Sequence, residues 1–142
     1  MNKNIESSLS DLYDYSEEYF NSYGLEKTNT KVITLFFDVL LLVERDFTAI
    51  ERVGFFIAKK LWVDKREGIE DIVLMVNNDL AVESWNKGKD INWRMRCIMC
   101  LLRKYTESSE YDILDALEDF IDFIQYIEVN DEEIMKIIHS YI

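Results

Sequence analysis

Proline is absent from this chain, and only four of its 142 residues are glycine. A multi-stranded β protein needs many tight turns, which usually draw on these two residues. Their scarcity disfavours that class and predicts an all-α fold. Cysteine is nearly as rare, at two, which argues against a small disulfide-stapled secreted domain. Long apolar runs are missing as well. No run, Val39–Val43 included, approaches the ~20 residues needed to cross a bilayer. Met1-Asn2-Lys3 leads into polar residues and not into the apolar segment of an export signal. These absences predict a soluble protein of the reducing cytoplasm, without membrane contact.

Positive charge is also in short supply. Sixteen Lys and Arg face 28 Asp and Glu, for a net charge of −12 and a pI near 4.5. A free-standing nucleic-acid binder must neutralise phosphates and is normally basic. The balance therefore predicts no nucleic-acid partner, and it favours association with basic proteins, which an acidic surface steers and accelerates.

What the chain does have is apolar content, 49% of residues. That is enough for a folded core, and the length suits a single domain spanning 1–142. The stretch Val32–Val43, VITLFFDVLLLV, is apolar at ten of twelve positions, broken only by Thr34 and Asp38. Those two are four apart and share one side of a helix, which leaves the other sides apolar. This pattern predicts the central helix of a single compact bundle or array of about seven helices. A first helix is expected over Ile5–Tyr23, stopped by Gly24, and the central helix is expected to start from Thr28–Thr30. Thr48 and Glu51 form a capping box for a third helix to Trp62, with Ile50, Val53, Ile57 and Leu61 inward. A short fourth helix carries Ile69, Ile72, Val73 and Val76. Asn77–Asp90 is the least regular stretch and reads as a loop with a turn of helix, holding Trp85. A fifth helix, capped by Asp90, is expected from Ile91 to Thr106. A sixth, from the pair Ser109 and Asp112, should reach Val129, and Asn130 with Glu133 opens the last.

Charge is unevenly placed. Residues 1–26 carry net −5, residues 27–104 net +3 and residues 105–142 net −10. The sixth helix keeps Ile113, Leu117, Phe120, Ile124 and Ile127 in one stripe and gathers Tyr111, Asp115, Glu118, Asp119, Asp122 and Tyr126 on the far side. Like charges three and four apart repel and weaken an isolated helix by a few tenths of a kcal/mol each. A solvated face is the ordinary reading of such a run. Internal pairing with Arg96 and Arg103 is another. The third is a docking face with tyrosine anchors, since Tyr is enriched at binding hot spots. Asp11, Asp14 and Glu18 extend that face if the first helix lies beside the sixth.

An acidic helical face bearing tyrosines, on a small all-α protein, resembles the immunity proteins that neutralise bacterial nuclease toxins. The residues that carry the likeness are Tyr111, Asp115, Glu118, Asp119, Asp122 and Tyr126, and it extends to the overall charge. It implies binding to a basic nuclease surface and occlusion of the nucleic-acid path. Colicin-type immunity proteins are shorter and have a proline-containing turn that this chain lacks. The looser comparison is with the varied all-α immunity proteins of polymorphic toxin systems.

Other chemistry is sparse. Cys97-Ile98-Met99-Cys100 is a C-x-x-C, but it falls mid-helix among apolar positions and reads as two core thiols. His139, the one histidine, has no motif around it. Glu67-x-x-Glu70 and Asp119-x-x-Asp122 resemble the acidic pairs of all-α nucleotide pyrophosphohydrolases, so a Mg²⁺-dependent hydrolase of a phosphate ester is the alternative. A homo-oligomeric structural protein is a third reading. The basic spots, Lys59-Lys60, Lys65-Arg66 and Arg94, Arg96, Arg103 and Lys104, read as solvated lysines and internally paired arginines. No catalytic residue, metal site or cofactor is expected.

Overall fold

Seven α-helices and no strand make up the described residues, 3–86 and 92–142, of the computed structural model. They are α1 (Lys3–Tyr23), α2 (Leu25–Leu41), α3 (Ala49–Trp62), α4 (Glu70–Asn86), α5 (Trp93–Met99), α6 (Ile113–Ile124) and α7 (Asp131–Tyr141). The all-α expectation holds, and α2 is central as its composition requires. It packs on α1, α5, α6 and α7. Along Val32–Leu40 every residue is buried except Thr34 and Asp38. Phe36 stacks on Phe120 of α6 with centroids 4.2 Å apart, and Phe37 meets Phe55 of α3 at 5.4 Å. No helix among the described residues is long and apolar enough to cross a membrane.

Gly24 ends α1 at φ +87°, a left-handed conformation that favours glycine. α2 begins at the next residue, earlier than Thr28–Thr30 suggested. Those threonines therefore sit inside the helix and bond backwards, Thr28 Oγ1 to the Gly24 carbonyl at 2.7 Å and Thr30 Oγ1 to that of Glu26 at 3.2 Å. The Thr48–Glu51 capping box forms as expected. The inward face of α3 is rotated from the expected one: Glu51, Gly54, Phe55, Ala58 and Leu61 are buried, while Val53 is 50% exposed. Gly54 explains the shift. A Cβ there would lie 2.8 Å from Leu80 Cδ1 and 3.0 Å from Ile98 Cγ2, so α3 approaches α4 and α5 closely through this position.

α4 corrects the loop expected from Asn77 over residues 77–86, and the rest of that stretch, 87–90, lies outside the described residues. The helix continues through Trp85 to Asn86, because no Pro or Gly interrupts it and Leu80 and Ser84 still find burial. Two asparagines cost a helix only a few tenths of a kcal/mol each. Asp90 and Ile91 lie outside the described residues. α5 is capped by Asn92, whose side chain accepts from the Met95 N–H at 3.1 Å, and it ends at Met99 rather than Thr106. Turns then carry Leu101, Leu102 and Tyr105 into the core.

Candidate functional site

α6 is capped by Asp112, not Ser109. Asp112 accepts from the Asp115 N–H at 2.9 Å, and Asp115 accepts from the Asp112 N–H at 3.0 Å. The helix ends at Ile124, short of Val129. Ile113, Leu117, Phe120 and Ile124 are buried, as the stripe required. Both local contacts matter for the acidic face, because its members no longer act alike.

Asp115 is engaged in the capping box. Asp119 accepts a hydrogen bond from Tyr111 Oη at 2.5 Å. Burial first, and then this bond, push the Tyr111 phenol far up, so it stays a donor. The Arg103 guanidinium lies 4.4 Å from the Tyr111 ring centroid. Arg96 stacks on Trp85 at 4.5 Å. Neither arginine makes the carboxylate pairing that one reading of the face required; both rest on aromatic rings. The buried ion pair is a different one, Arg94 Nε to Glu51 Oε1 at 2.5 Å. Lys104 pairs with Glu70 at 3.1 Å on the surface. Tyr126 lies past the end of α6, 65% exposed, with its ring stacked on Trp93 at 4.6 Å.

Glu118 and Asp122 are the two carboxylates of the face that reach solvent and border a groove. The groove, of about 200 Å³, runs between α1 and α6 over an apolar floor that includes Leu9 and Ile121. Glu6 closes it from α1, and among the described residues neither Lys nor Arg lines it. Tyr13 lines it too. Its phenol is pushed up by burial and then by the carboxylates of Glu17, Glu118, Asp112 and Asp115, so the negative field of both helices converges there. α1 does pack beside α6, the condition set for Asp11, Asp14 and Glu18 to extend the face. Asp11, Asp14 and Glu18 are exposed but lie on the outward side of α1, roughly 60–140° around the helix from Glu6 and Glu17.

Compared with known proteins, the chain matches no family model, no curated protein and no solved structure.

Glu6, Glu17 and Tyr13 were not singled out from sequence. The side opposite the apolar stripe of α1 is the natural place to look for exposed acids, whereas two packed helices meet along their flanks. A plot of the flanking residues of both helices would have found them. Cys97 and Cys100 are free and buried, as expected of core thiols. Burial pushes Cys97 well up and Cys100 to about 12, so neither is a nucleophile at neutral pH. His139 is exposed on the last turn of α7. Among the described residues no three His, Cys, Asp or Glu side chains converge to hold a metal ion. Of the acids in the hydrolase alternative, Glu70 pairs with Lys104 on the surface and Asp119 accepts from Tyr111.

Proposed function

We propose that this chain is a non-enzymatic protein-binding module whose α1–α6 groove docks on a basic protein. Its most concrete form is a cytoplasmic immunity protein that occupies and occludes the nucleic-acid surface of a nuclease toxin. The observation that carries the reading is the convergence of Glu6, Glu118 and Asp122 on one groove that, among the described residues, no Lys or Arg lines. Crowding like charges costs free energy unless solvent or a partner cation relieves it. An apolar floor between the charges gives a lysine or arginine stem something to pack on, with the head group among the carboxylates.

In this reading Glu118, Asp122, Glu6 and Glu17 steer and pair with the partner, and Tyr126 on its Trp93 support anchors the far end of the face. Asp115 and Asp119 hold the face in shape through Asp112 and Tyr111. The gene should lie beside one encoding a secreted protein with a C-terminal nuclease domain. The test is nucleic-acid cleavage by that domain, titrated with the chain. One equivalent should abolish cleavage, and the double reversal Glu118→Lys with Asp122→Lys should raise the concentration required by roughly tenfold or more. Equal inhibition by both proteins overturns the site.

A further inference from the structure

α4 is apolar on its outward side as well as its inward one, and it exposes more large apolar side chains than any other helix. Val73, Val76, Leu80 and Ser84 are buried, and the helix packs chiefly on α3 and α5. Yet Leu74, Val82 and Trp85 are 60%, 59% and 62% exposed, and Met75 is exposed beside them. With Asp71 and Asn78 these four occupy about 100° of the helix surface. A helix that is apolar all round is normally covered on all sides. An exposed apolar stripe rimmed by polar residues marks an interaction surface.

We infer that α4 pairs, antiparallel, with α4 of a second copy of this chain, about a two-fold axis at Asn78. The stripe is complementary to itself in that arrangement. Leu74 and Val82 each lie four residues from Asn78 on opposite sides, so each meets the other across the axis. Asn78 meets its own copy, and a side-chain amide both donates and accepts, which fixes register in helix pairs. Asp71 and Trp85 each lie seven residues from Asn78. The exposed Asp71 carboxylate of one copy therefore faces Trp85 of the other, on whose ring the Arg96 guanidinium is stacked at 4.5 Å. That is charge complementarity from the same two-fold operation, as a symmetric dimer requires. The antiparallel sense also sets the two helix dipoles against each other. α4 itself carries Glu70, Asp71, Asp79 and Glu83 and no Lys or Arg, and the antiparallel register about Asn78 sets none of these four opposite another. This inference is independent of the α1–α6 groove.

The test uses the full chain in sedimentation equilibrium and in oxidative cross-linking. The protein should sediment as a dimer at micromolar concentrations. Val82→Glu should weaken the dimer by roughly tenfold or more, with an unchanged circular-dichroism spectrum because the side chain is exposed. Under a mild oxidant, Asn78→Cys should yield a disulfide-linked dimer, since the axis brings the two copies of residue 78 face to face. Asp71→Cys should not, because two copies of residue 71 would be about 20 Å apart. The buried Cys97 and Cys100 do not compete. A monomer at every accessible concentration, a dimer indifferent to Val82→Glu, or cross-linking through residue 71 as readily as through 78 would each overturn the assignment.

Discussion

Arg94 supplies the counter-charge for a carboxylate buried in the interior. Glu51 is fully buried between the Thr48 cap and the Arg94 guanidinium. Burial pushes its carboxyl up, but hydrogen bonds from Arg94 and Thr48 outweigh that and hold it below the usual range. Removing the cation leaves a buried carboxylate without its counter-charge, so Arg94→Met should cost about 3 kcal/mol in urea unfolding. Adding Glu51→Gln should recover part of the loss. At the other end of the pH scale, Tyr141 is pushed up to about 12 by burial, where it meets Ser16 of α1 at 3.2 Å. The folded chain holds the neutral phenol and the unfolded chain releases its proton near 10. The stabilisation is therefore complete below pH 10 and is lost between about 10 and 12. Tyr105 and Tyr111 are shifted in the same direction. Thermal melts from pH 9 upward should show a fall in midpoint that is shallower in Tyr141→Phe.

Helices were legible wherever burial and caps agreed, and their limits were not. The near-continuous apolar run Val32–Val43 named the central helix, and the Thr48–Glu51 box named the start of α3. At the start of α6 two pairs with capping spacing competed, Ser109–Asp112 and Asp112–Asp115. The second won because the Asp112 and Asp115 carboxylates answer each other's N–H groups, whereas Ser109 Oγ accepts from the Thr106 N–H at 3.0 Å. Asn77 and Asn78 resembled a turn, but tertiary burial of Leu80 and Ser84 carried α4 through them. On α3 the inward face was misplaced by one flank, because a glycine offers no apolar side chain to count yet marks the closest helix contact. Asp112→Ala should cost about 1 kcal/mol and fray the first turn of α6. Denaturant unfolding with far-ultraviolet circular dichroism checks both effects. Of the acidic face, the helix and its outward charges were readable; which carboxylates were already occupied depended on Tyr111 and on the cap.

Across the whole molecule, the acidic groove and the exposed apolar stripe are built on different helices. The acids of α1 and α6 meet over one groove, and the exposed stripe of α4 lies in the slightly basic middle of the chain. Long-range attraction from the groove should act on the rate of encounter more than on the lifetime of a complex. The most direct measurement is therefore the association rate of the chain with the nuclease domain that the proposed function expects to be encoded beside it, over a range of ionic strength. For the natural chain the rate should fall steeply as salt shortens the screening length from about 10 Å at 0.1 M. For the chain carrying Glu118→Lys and Asp122→Lys it should be low throughout and nearly flat, with the melting temperature unchanged. Coincident salt profiles for the two proteins would contradict the groove as the docking site.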